Sequence, residues 1–206
     1  NDCVRRLLGR FSKATYLGIT ATPFANIFID PGKDDDLFPA DFIYALSAPT
    51  NYIGADRIFG DGGDFSAMLQ PINTLSLEKF FPPKHKKDLV VNKLNDELIE
   101  AANYFLLVNA IRDLRGDTVD HRSMMVHISR FTNVQNQIAD LFQIWLDQIR
   151  SDLRNYSTLA PAKAEKIKNI AALHTVWDKY NLHIVAGVDW EVILRTYLYR
   201  AVAPIE

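Results

Sequence analysis

Two hydroxyls, Thr20 and Thr22, stand where the short apolar run Tyr16-Leu-Gly-Ile19 meets Pro23. Leu17 and Ile19 suit the interior of a buried strand, and the hydroxyls then emerge at its end. Pro23 lacks an N–H and drives its predecessor away from the helical region, so the strand stops there. Ligands of open α/β sheets gather at the carboxyl ends of strands. A hydroxyl both donates and accepts, so such a pair can exchange partners when charge changes nearby. A second strand is expected over residues 123–129, with Ser129, Arg130 and Thr132 at its carboxyl edge. There, Thr132 or Asn133 serves equally well as a helix cap, with Arg130 solvated.

Other constellations fall short of a site. A phosphate cradle needs Gly-x-x-x-x-Gly-Lys-Ser/Thr, and the sole Gly-Lys pair, Gly32-Lys33, is followed by Asp34. Asp96-Glu97 lies inside a helical pattern and reads as a solvated face rather than a Mg²⁺-holding pair. No Asp-x-Lys or Glu-x-Lys occurs, which removes the commonest restriction-nuclease core, and five residues after His85-Lys86-Lys87, where a phospholipase-D-like nuclease needs Asp, stands Asn92. Asp30, Asp34, Asp35 and Asp36 could attract a hard cation but match a hydrated loop. His121, His127, His174 and His183 are too scattered for metal-ligand spacing, and His127 reads as a core side chain. Arg5, Arg6, Arg10 and Lys13, or Lys84 to Lys87, could meet phosphates or simply face solvent. Trp177 with Tyr180, and Trp190 with Ile193 and Tyr197, have the spacing of a helical core rather than of a base-stacking platform.

The elements that would position these residues can be read from periodicity and punctuation. Asp2 caps a helix expected to reach Lys13, and a strand follows at 15–20. Residues 51–90 crowd turn formers, Gly60-Asp-Gly-Gly63 and Pro82-Pro83 among them, and read as an irregular connector. Helices are expected from about Asn92 to Arg115, stopped by Gly116, then from Asn133 to Leu153, 162 to 180 and 189 to 202, with Asp189 as a cap.

The run Gly18-Ile-Thr-Ala-Thr-Pro-Phe-Ala-Asn-Ile-Phe-Ile-Asp30-Pro31, with Asp35-Asp-Leu-Phe-Pro-Ala-Asp41-Phe-Ile-Tyr44 and Pro49-Thr-Asn-Tyr-Ile-Gly-Ala55, resembles the Z-one endonuclease domain. Thr20-Ala-Thr-Pro23 itself is similar to the third motif of superfamily-two helicases. The specific part covers roughly residues 16 to 60. The resemblance implies a helix-rich α/β fold made of fragments of RecA-like lobes of the P-loop NTPase and helicase type. Residues 1–50 would end a first lobe, 51–90 connect, and 91–206 open a helix-rich second lobe. It further implies ATP-coupled action on DNA in a bacterial restriction or defence system. ATP and Mg²⁺ would serve the intact protein, with no cofactor in this piece. Thr20 and Thr22 would couple nucleotide state to DNA, and Arg130 and Thr132 would touch the DNA backbone.

Composition bounds these expectations. The 206 residues are 48% hydrophobic with a formal net charge of -2, so nucleic-acid binding has to rest on local patches. No apolar stretch is long enough for a membrane span, so no membrane partner is expected. Cys3 is alone, which fits a reducing cytoplasm. The absence of an initiating Met suggests a piece of a longer protein, inactive by itself as an ATPase. Two other classes remain open. One is a helical protein-interaction module of the same kind of system, docking through the connector and the 162–202 helices. The other is a self-sufficient metal-dependent nuclease using Asp30, Asp41 or His85.

Overall fold

The computed structural model describes residues 2–22, 28–32 and 37–205, and every regular element among them is helical. Pro23 and the acidic residues Asp34, Asp35 and Asp36 lie outside the described residues. Two compact units are distinguished, residues 1–70 and 71–206.

In the first unit, α1 (Asp2–Leu8) ends well short of Lys13. The Gly9 N–H closes the last turn on the Arg5 carbonyl at 2.9 Å, and the chain bends away. A short helix α2 (Ala55–Phe59) is tied to the loop after it by Arg57. The guanidinium reaches Asp64 Oδ2 at 3.0 Å and lies over the Phe65 ring at 4.6 Å from its centroid. A Cβ on Gly63 would stand 2.5 Å from the Arg57 carbonyl oxygen, so this loop closes only on a residue without a side chain. No described residue of this unit is buried.

The second unit carries α3 (Thr74–Phe80), α4 (Asp96–Leu114), α5 (Thr132–Tyr156), α6 (Pro161–Ala164), α7 (Lys168–Lys179) and α8 (Leu182–Ala186). Trp190–Val192, a π-helical stretch Ile193–Leu198 and Tyr199–Val202 then follow without a break and are called α9 together. The element α4 ends where expected, because Gly116 takes φ +82, a left-handed geometry that a Cβ disfavours. Expected as one helix, 162–180 is two, with Pro161 at the first position of α6 and an extended Ile167 before α7.

The larger core joins α4, the later turns of α5, and α6 to α9. Leu107, Leu173, Ile193, Leu194 and Leu198 are fully buried there, and Trp177 is nearly so. Each such aliphatic side chain contributes about 1.5–3 kcal/mol through removal from water. The π stretch sets Leu194 and Leu198 against α4 and offsets the helical register by one residue. A smaller core gathers Phe81, Val91, Val134 and Ile138 around the start of α5.

These elements correct the expected fold. Among the described residues there is no β-strand, hence no parallel sheet on which a RecA-like, P-loop NTPase or helicase-type lobe could be built. The helicase-like, ATP-coupled reading falls with it. Both expected strands were read from real apolar runs, but a strand exists only as part of a ladder. Residues 14–20 have no helix, turn or bend and no neighbour of the same kind, and Leu17 and Ile19 are 66% and 89% exposed. Residues 121–129 are similarly unbent, and Val126 and Ile128 pack against the cluster at the start of α5 rather than into a ladder.

Candidate functional site

A cleft of about 970 Å³ opens in the second unit between α4, α5, the 118–128 stretch and the end of α9. Its floor is apolar because α4 presents Ala102, Phe105 and Leu106, and α5 presents Ile138, Phe142 and Trp145 at helical spacing. Phe142 and Trp145 meet edge to face at 5.7 Å. One wall is fixed by Arg122, whose guanidinium donates to the Asn109 carbonyl at 3.0 Å, to Asp113 Oδ1 at 2.6 Å and to the Asp117 carbonyl. Arg122 and Asp113 are only 13% and 16% exposed, so this pair is sheltered and its geometry is held by several bonds at once. Beside it, Arg112 Nε donates to Asp117 Oδ2 at 2.5 Å. That hydrogen bond, with the charges of Arg112 and Arg122, holds the Asp117 carboxyl below its ordinary range.

At the start of α5 a second feature is assembled by hydrogen bonds across long sequence separations. His85 Nδ1 lies 2.9 Å from the Pro82 carbonyl, which can only accept, so the ring proton sits on Nδ1. Nε2 then accepts from Ser129 Oγ at 2.9 Å, and Ser129 Oγ accepts the Phe131 N–H at 3.1 Å. The spacing is that of a nucleophile and its base, but Ser129 is 3% exposed and every group is already engaged. We read it as a clasp. Asn133 Nδ2 donates to the Lys87 carbonyl at 2.9 Å, and Gln137 Nε2 to the Leu89 carbonyl at 3.0 Å, which extends the same seam. The clasp sets the exposed run Lys84, Lys86 and Lys87 beside exposed Arg130 and the first turn of α5. Four cations, Lys84, Lys86, Lys87 and Arg130, thus lie on two segments joined at the positive end of α5, on a chain whose total is -2.

The sequence-predicted site residues are distributed as follows. Thr20 and Thr22 are exposed, outside any regular element, and the Thr22 N–H donates to Thr20 Oγ1 at 3.0 Å. Arg130 is exposed with its guanidinium over the Phe131 ring, 4.9 Å from the centroid, and exposed Thr132 begins α5. Of the residues considered for a nuclease, Asp30 Oδ1 accepts the Gly32 N–H in a local turn, Asp41 is exposed, and His85 belongs to the clasp. Among the described residues no three His, Cys, Asp or Glu side chains are grouped to hold a metal ion. No described helix is long and apolar enough to cross a membrane. His127, expected in a core, is exposed.

Sequence reasoning passed over Arg122 and the pairing of His85 with Ser129. The only cue for Arg122 was its position among Asp113, Asp117 and Asp120. His85 and Ser129 lie 44 residues apart and give no local pattern.

Among the described residues the second unit is all-helical, with an open apolar cleft and a basic ledge and no sheet for a RecA-like lobe. The Z1 domain model matches residues 97–206, more than half of the chain, so this chain belongs to the Z1 (Z-one) domain family. No curated protein and no solved structure gave a match. The matched span begins in the first turn of α4 and takes in the whole α4–α9 core and its cleft. What membership brings is a general association with endonucleases of restriction and defence systems.

Proposed function

We propose that residues 71–206 act as a helical protein-interaction module of a restriction or defence system, docking a partner protein in the cleft between α4 and α5. The observation that carries this reading is the cleft itself. Its apolar floor stays open beside a core whose other helices are closely packed, and Met124, which lines it, is 36% exposed. Apolar surface kept open to water in this way favours association. The cleft differs from the docking surface expected from sequence, the connector and the 162–202 helices, which bury Leu173, Trp177 and Leu194 in the core but leave Ile184 and Val185 exposed.

The test is a photo-crosslinking residue at position 124 of the full chain, in cells expressing the other proteins of the same system. A single crosslinked partner is expected, lost on Phe142→Asp when circular dichroism shows the helices retained. Crosslinking at 124 no stronger than at position 184, in α8, would refute the docking site.

A second reading concerns the basic ledge. Lys84, Lys86, Lys87, Arg130 and Thr132 offer cations and a hydroxyl where a DNA backbone could be held without sequence being read. The clasp supports this by bringing two sequence-distant basic elements together. Lys86→Gln with Lys87→Gln should weaken duplex binding and lower the salt slope by about two. An unchanged slope would remove the ledge from consideration.

A further inference from the structure

We propose that Ser123–Ile128 receives an extended segment of a second polypeptide as an added β-strand, so that the partner of the cleft is a strand and not a helix. This rests on reading the cleft as a protein-docking site. From His121 to Ser129 the main chain has no helix, turn or bend. Exposure alternates along it. Met125 and His127 face water, whereas Val126 and Ile128 are half-buried and, with Met124, line the cleft. That alternation is the two-residue period of a pleated strand.

The main-chain groups of this stretch are unspent. Among the described residues, no N–H or C=O of Ser123–Ile128 is hydrogen-bonded within the chain, whereas the flanking Ser129 carbonyl is taken by Gln135 and the Phe131 N–H by Ser129. A strand held on one face by an apolar floor, with a free edge, is a template for strand addition. A docked helix satisfies its own main chain and leaves this edge to water, so hydrogen-bond complementarity favours a strand. Charge adds a constraint. Exposed Arg200 borders the cleft, and among the described residues it has no ion pair, while Arg122 and Asp113 neutralise each other. The incoming segment therefore has apolar side chains at alternate positions and a carboxylate for Arg200.

The experiment uses the full chain and three synthetic peptides. The parent alternates Val and Thr and ends in Glu, and the other two are N-methylated on the odd or on the even amides. In a strand, alternate amides point to one edge, so only one methylated set removes donors facing the chain. The parent is expected to bind and to slow amide exchange at Met124–Ile128. One methylated peptide should bind about ten-fold more weakly and the other as well as the parent. Equal binding by all three, with protection around Phe142 and Trp145, would overturn strand addition while leaving the docking site in place. Failure of the parent to bind at millimolar concentration would overturn strand addition as well, and the crosslink at position 124 would then decide the docking site separately.

Discussion

Ser129 shows what one buried hydroxyl does in this chain. It donates to His85 and accepts from Phe131, so Ser129→Ala leaves an imidazole acceptor and a main-chain donor without partners. A loss of about 1–3 kcal/mol in urea unfolding is expected, together with faster amide exchange across residues 84–91. Unchanged stability would show that the clasp is incidental. Glu100 makes a different kind of bond, accepting from Lys179 Nζ at 2.5 Å and from the Tyr180 hydroxyl at 2.6 Å. These hydrogen bonds, Lys179 first, hold its carboxyl below the ordinary value of 4.5, so its stabilisation is present above that value and fades as pH falls through the lowered one. Bonding to Glu100 raises Lys179 above 10.5 and Tyr180 above 10.0, so their share is present below those values and fades as pH rises through the raised ones. Glu100→Gln should flatten both limbs of the stability profile; profiles that stay parallel would deny this staple between α4 and α7 any role.

Among the elements, the long helices were legible and the strands were not. α4 and α5 begin and end within a few residues of the positions read from periodicity, because each presents a continuous apolar stripe and α4 has a Gly at its stop. Residues 15–20 and 123–129 carry the composition of strands, but a ladder depends on a second segment that composition does not reveal. The resemblance was read on residues 16–60, whereas the family match falls on 97–206, where only the general pattern had seemed similar. The cleft was illegible for a related reason. It is the space left when α4, α5 and the end of α9 meet, and its anchor Arg122 bonds to residues on a neighbouring element. Packing at this scale is testable through Leu173, fully buried in α7. Leu173→Ala should cost about 2–5 kcal/mol, and a smaller loss with an unchanged denaturant slope would mean that the core closes around the gap.

The molecule combines a small unit with no buried residue among those described and a larger helical unit that has a buried core and an open cleft. Its slight negative total charge means that any contact with DNA would have to be local, and the ledge at the start of α5 and the cleft are proposed for different kinds of partner. The two features share the Ser129–Phe131 junction, so a partner in the cleft lies near whatever the ledge holds. Central to the account is that the cleft takes a protein partner. The most direct measurement is amide hydrogen exchange of the full chain alone and with the protein crosslinked from position 124. Slowed exchange confined to residues 119–130 and the facing turns of α4 and α5 is the predicted result. Protection elsewhere, with the cleft unchanged, would contradict it.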